Sequence, residues 1–165
     1  MIYKTVKLKN YSDVFVEVEA NATIIPGMLV ELMTTSKLRA HASAATFAMP
    51  MFAMENFLEG KGLGDNYVAG DQVQVWIPGR GDEVYALLVD GGQPVSVGDA
   101  LVSAGGGYLK KSQDTINSYE SVDAGMDISN KSLIAIALEA KDISGSGSDS
   151  SDGGQYYPYV RCRIV

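Results

Sequence analysis

The sequence predicts an all-β protein: a compact small β-barrel or β-tulip-like domain with long loops and at most short helical turns. Two observations carry that prediction. Apolar residues recur with period two, not 3.6, along most of the chain. The alternating runs are separated by turn chemistry built on Gly, Pro and Asp. A third observation sets the scale, since 165 residues with 46% hydrophobic and only 20% charged side chains suit a single domain with its own core.

The elements follow in chain order. Residues 1–12 read as an edge strand or an extended arm, with Tyr3, Thr5, Lys7 and Lys9 on one face and Ile2, Lys4, Val6 and Leu8 on the other. Residues 13–165 form one β-rich domain. Val14, Val16 and Val18 alternate with Phe15, Glu17 and Glu19. Pro26-Gly27 turns into Met28, Val30 and Leu32, with Leu29, Glu31 and Met33 on the opposite face. Glu55 to Leu58 allows one turn of helix. Ala69-Gly70-Asp71 leads into Val73, Val75 and Ile77, which leaves Gln72, Gln74 and Trp76 on the polar side. Asp82-Glu83 beside Gly81 reads as a turn. Val84 to Val89 and Leu133 to Leu138 are apolar on both faces, the pattern of strands buried from two sides.

Further turns are marked by Asp90-Gly91-Gly92, Val97-Gly98-Asp99 and Gly105-Gly106-Gly107, and a second helical turn is allowed between Thr115 and Val122. Residues 143–155, nearly all Gly, Ser and Asp, predict a flexible loop. The closing strand alternates Val160, Cys162 and Ile164 with Tyr159, Arg161 and Arg163. Gly27, Gly70 and Gly98 each precede an apolar strand. Their unequal spacing makes this recurring turn chemistry and not a solenoid repeat.

Reaction chemistry finds little support. A Ser-His-acid arrangement would have to use His41, the only histidine, and no nucleophile elbow presents a serine to it. One histidine and one cysteine do not make a zinc site of the usual kind. Cys162, the lone cysteine, excludes a disulfide framework and reads as a small apolar core residue. Gly60-Lys61-Gly62-Leu63-Gly64 lacks the Gly-Lys-Ser/Thr ending that lets a glycine loop hold phosphate. Asp149 and Asp152 lack the ligand spacing of a calcium loop. The expectation is no catalytic residue, no cofactor and no metal. No apolar run approaches the length of a membrane span.

A net charge of −7 argues against nucleic acid as a partner. The basic residues cluster at the termini: Lys4, Lys7, Lys9, Arg161 and Arg163. Several large side chains fall on faces that alternation gives to solvent, Phe15 and Trp76 among them, and Tyr156, Tyr157 and Tyr159 crowd the start of the last strand. Grouped aromatics of this kind point to subunit contacts. The expected interface comprises Tyr3, Lys4, Lys7, Lys9, Phe15, Phe57, Leu63, Tyr67, Trp76, Tyr157, Tyr159, Arg161 and Arg163, with Trp76 turned outward towards a neighbour.

The run Pro50-Met51-Phe52-Ala53-Met54-Glu55-Asn56, continuing through Leu58, Gly60-Lys61-Gly62-Leu63-Gly64-Asp65, Tyr67, Ala69-Gly70-Asp71 and Val73-Gln74-Val75, resembles the central signature of tailed-phage capsid cement, or head decoration, proteins. Pro26-Gly27-Met28-Leu29-Val30, the strand and glycine turn at 98–107, Ala137-Leu138-Glu139-Ala140 and the basic strand at 160–165 extend the likeness over most of the chain. The resemblance implies a non-enzymatic homotrimer on the outer surface of the virion. It implies the major capsid protein as partner, with neighbouring shell subunits bridged. On this reading the basic termini touch the shell, and deleting residues 1–10 abolishes binding without unfolding the domain. A tail, baseplate or minor shell component and a small trimeric β-fold enzyme are the alternatives.

Overall fold

The computed structural model describes residues 4–9, 14–44, 46–89, 93–112, 133–142 and 158–165. Across them the chain is all-β. Its strands are β1 (Lys7–Lys9), β2 (Phe15–Glu19), β3 (Val30–Leu32), β4 (Leu38–Ala40), β5 (Phe52–Ala53), β6 (Gln72–Trp76), β7 (Glu83–Leu87), β8 (Ala100–Gly105), β9 (Tyr108–Lys111), β10 (Ala135–Ala137) and β11 (Tyr159–Ile164). One 3-10 turn, Phe57–Glu59, falls where Glu55 to Leu58 allowed a helical turn. The turn at Asp90-Gly91-Gly92, the helical turn between Thr115 and Val122 and the loop at 143–155 lie outside the described residues, as do Tyr3, Tyr157, Asp149 and Asp152.

The strands form a six-stranded sheet in the order β1-β7-β11-β10-β8-β9, a three-stranded sheet β2-β6-β5 and a two-stranded sheet β3-β4. All ladders are antiparallel. The large sheet curls until β9 approaches its second strand, but it does not close into a barrel. The reason is register. β9 reaches the chain at Leu88, one residue beyond β7, and makes a single parallel bridge there through Leu109 in place of a ladder.

Period-two burial works as the sequence suggests where both faces are covered. In β11, Val160, Cys162 and Ile164 enter one core with Val84, Ala86 and Leu88 from β7 and its end. Tyr159, Tyr85 and Leu87 point the other way, into a second core with Met28, Val73 and Val75. The Tyr85 and Tyr159 rings stack with centroids 4.9 Å apart. Burial of these large apolar surfaces is the main favourable term in folding. Leu133 departs from the expected double burial and is exposed, while Ile134, Ala135 and Ala137 are buried.

The turns share one design. In Gly62–Asp65, Val68–Asp71, Gly79–Asp82 and Ser96–Asp99, the Asp N–H donates to the carbonyl three residues back, at 3.1 Å each. Its carboxylate accepts the N–H of that same residue, at 2.7–2.9 Å. A short acceptor side chain thus satisfies a main-chain donor locally. The Pro26-Gly27 turn has the same backbone closure, with the Met28 sulfur standing 3.4 Å from Ile25 N in place of the carboxylate. Gly27 has φ +89°, and a Cβ there would lie 2.6 Å from the Tyr159 ring. No other residue type fits beneath that ring.

The N-terminal segment is integrated into the domain. Val6 is fully buried in the first core, its carbonyl accepts Tyr85 N–H at 2.7 Å, and its N–H donates to Glu55 Oε2 at 3.0 Å. Thr5 Oγ1 donates to the other oxygen of the same buried carboxylate. Removing residues 1–10 strips an edge strand and a core residue, which argues against the expectation that this deletion spares the fold.

Candidate functional site

Among the described residues, three polar clusters and one apolar groove are candidate places for function. The first cluster brings together three residues that lie far apart in sequence. His41, just after β4, has Nδ1 2.8 Å from Ser103 Oγ on β8 and Nε2 3.6 Å from Glu31 Oε2 on β3. Sequence reasoning found the histidine and missed its partners, because no local motif marks Ser103. The trio has the residue types of a hydrolytic triad but not its access. Ser103 is 0% exposed and His41 2%, and Gly105 N–H donates to Ser103 Oγ at 3.1 Å. Nε2 faces two acceptors, Phe47 O at 3.4 Å and the Glu31 carboxylate, which favours the tautomer with Nε2–H and lets the Ser103 hydroxyl donate to Nδ1. Glu31 is also held by Arg39 Nε at 2.7 Å. The network ties β3, β4 and β8 together and leaves no room for a substrate at Oγ.

The second cluster holds the two C-terminal arginines. Glu83 is 2% exposed, and it accepts from Arg161 Nε at 3.0 Å and Nη2 at 2.5 Å and from Arg163 Nη2 at 2.7 Å. The cross-strand register Arg163↔Glu83 puts these groups on one face. Hydrogen bonds from Arg163 and then Arg161 hold the Glu83 carboxyl below its usual range. Both arginines were expected to meet a partner, and the structure commits them to Glu83. The third cluster is the glycine loop. Lys61 pairs with Glu59 at 2.8 Å, and Gly62 N–H is taken by Asp65, so the donors a phosphate would need face internal carboxylates.

Several predicted interface residues lie inside the domain. Trp76 is 0% exposed, which overturns its outward assignment. Its row on the sheet runs Phe15–Trp76–Phe52; the indole packs into the first core with Val6, Phe52, Met54 and Val84, and Lys7 Nζ of β1 lies 4.7 Å from the Phe15 ring and 5.8 Å from that of Trp76. Alternation assigns Trp76 to the side of Gln72 and Gln74, but a second layer covers only its end of that side. Tyr67 is buried, with its hydroxyl donating to Met54 O at 2.9 Å, and burial pushes its phenol up to about 12. Tyr159 is buried and donates to Pro26 O at 2.8 Å. Leu63 is partly buried against both cores. Leu29, placed on a solvent face with Glu31, is fully buried. Cys162 is buried as expected, and desolvation pushes its thiol up to about 12.

The groove begins where that cover ends. Beside the Trp76 row, Glu17 pairs with Gln74, and this row is open. Phe15, Val16, Glu17, Gln74, Phe57 and Leu58 enclose about 220 Å³. Gln74 lies on the central strand, β2 supplies one wall and the 3-10 turn the other. Phe15, Phe57 and Leu58 are 44%, 58% and 72% exposed, so the lining is apolar and solvent-facing. Of the predicted interface, Phe15 and Phe57 converge here, and Lys4 is exposed at the start of the described chain. Leu58 was missed, because its signal is only the neighbouring Phe57 on a short turn.

Comparison of the chain with models of known protein families and with curated protein sequences gave no match. Among the described residues, no helix is long and apolar enough to cross a membrane.

Proposed function

We propose that this chain is a capsid cement protein: a non-enzymatic virion component, trimeric as the resemblance implies, that binds the outer surface of a phage head and bridges major capsid protein subunits. The observation that carries the reading is the exposed apolar groove between Phe15, Phe57 and Leu58. Exposed apolar side chains grouped in this way mark contact surfaces. Polar constellations that suggest chemistry in isolation are consumed by internal bonds, as at Ser103–His41–Glu31. A protein that binds only the assembled shell stabilises it by mass action.

The test is to mix purified protein with undecorated heads and image them by electron microscopy. The expected result is saturable density at repeated positions on the outer surface, lost in a Phe57→Asp/Leu58→Asp variant that keeps its fold. Saturation of tails or baseplates with bare heads replaces the reading with that of another virion component.

A further inference from the structure

The groove lies beside an open sheet edge. At one end of the β2–β6 ladder Ile77 N–H donates to Val14 O at 2.9 Å, and at the other Ala20 N–H donates to Asp71 O at 2.8 Å. Antiparallel pairing alternates, so Val14, Val16, Val18 and Ala20 direct their main-chain groups to β6. Phe15 and Glu17 turn theirs away from the sheet. β2 is the terminal strand of its sheet. Among the described residues no strand pairs with this edge before Ala20 bridges Leu38.

We propose that this edge and the groove together take an extended, basic and apolar segment of another protein as an added β-strand. Its main chain pairs with Phe15 and Glu17, an apolar side chain enters between Phe15, Phe57 and Leu58, and a Lys or Arg meets Glu17. Strand addition of this kind draws affinity from main-chain hydrogen bonds and specificity from alternate side chains. This rests on the groove being the docking face, as above, and does not require that the partner be a shell.

Charge selects the occupant. Among the described residues Glu17 is the one charged residue in the groove lining, and the whole chain carries −7. The nearby cation, Lys7, is held over the Phe15 and Trp76 rings. A second copy of this chain fits poorly: antiparallel pairing of two β2 strands about Glu17 sets like charges opposite one another, which is destabilising, between two acidic bodies. A basic partner strand turns the same groups into attraction.

The test uses the full chain and three synthetic peptides: one alternating Lys with Leu and Phe, one with Glu for Lys, and the Lys peptide N-methylated on alternate residues. Binding is read by fluorescence anisotropy and by amide exchange at Phe15 and Glu17. The Lys peptide is expected to bind, to weaken with salt and to protect both amides, while the other two lose about tenfold or more in affinity. Glu17→Pro removes the outward donor together with the carboxylate, at a main-chain position where an edge strand tolerates proline, and is expected to lose the same affinity at an unchanged melting temperature. Glu17→Lys, which carries no backbone risk, is expected to reverse the preference between Lys and Glu peptides. Equal binding of all three peptides, unprotected amides, or self-association of the wild type through β2 overturns the proposal. Heads left bare by the wild-type protein overturn the shell reading alone. Heads still decorated by a folded Glu17→Pro variant overturn this one alone.

Discussion

Trp76 separates a buried role from an interface role by a single substitution. Its side chain is fully buried among Phe52, Met54, Val84 and other members of the first core. Truncating a buried Trp to Ala removes its transfer free energy and leaves a cavity, a loss of about 3–5 kcal/mol. Against a total stability of roughly 5–15 kcal/mol, that is a large fraction, and at about 2–4 °C per kcal/mol for a domain of this size it lowers Tm by roughly 6–20 °C. The indole Nε1 is buried and finds no acceptor among the described residues. A buried unpaired donor costs about 1–3 kcal/mol, so Trp76→Phe, which keeps most of the ring and discards the donor, is expected to be far milder than Trp76→Ala. The assay is thermal unfolding of wild type, Trp76→Ala and Trp76→Phe. As the only tryptophan, Trp76 also reports itself, with blue-shifted emission in the native state. A Trp76→Ala variant with wild-type Tm, or wild-type emission quenched freely by acrylamide, refutes the burial argument.

Two further outcomes follow from the turns and the charge cluster. Gly27→Ala forces a Cβ to within 2.6 Å of the Tyr159 ring at φ +89°. Left-handed strain and overpacking together amount to about 2–5 kcal/mol, to be measured by denaturant unfolding against Gly70→Ala, where φ is +96° but nothing lies within 4 Å. Equal losses for the two variants contradict the clash. For Glu83, hydrogen bonds from Arg163 and Arg161 hold the folded-state pKa below the ordinary glutamate value of 4.5. Below 4.5 the unfolded state therefore binds the proton more readily, and the contribution, complete above that pH, is lost as pH falls through the folded pKa. Glu83→Gln is expected to lower stability at pH 7 by about 2–3 kcal/mol and to flatten the acid side of the stability curve below pH 4.5. An acid limb unchanged in the variant removes Glu83 from the account.

How far the sequence could be read depended on whether one layer or two covered a face. β7 and β11 are legible because the side-chain period maps directly onto two packed faces, and the Gly-Asp turns are legible because their chemistry is local. Trp76 and Leu29 were misassigned because alternation gives a face and not its cover. The groups around Trp76 include Val6 of the first core and Lys7 on β1, which lie 70 and 69 residues away in the chain, too distant for any pattern in the strand itself. The same nonlocality hid Ser103 from His41 and Glu83 from Arg161. Of the groove, Phe15 and Phe57 were visible as large apolar residues in polar company. Their convergence was not, since it depends on β5 and β2 flanking β6 on opposite sides.

The dimensions of the groove bear on the kind of partner it can hold. A space of about 220 Å³ takes one apolar side chain, and the open stretch of β2 offers main-chain groups from Phe15 and Glu17 before the bridge at Ala20. One such site supports weak binding, because loss of rotational and translational freedom absorbs much of the contact energy. Weak sites suffice when copies engage a repeated surface together, since linkage raises avidity by roughly 10²–10⁴ over a single site. A trimer meeting a lattice of identical subunits has that geometry, whereas a monomer meeting a lone protein has not. The proposed shell-binding role thus makes a demand on assembly: variants that dissociate the proposed trimer should lose head binding even with Phe15, Phe57, Leu58 and Glu17 intact, and retained decoration by a monomer would require a larger contact surface than this groove provides.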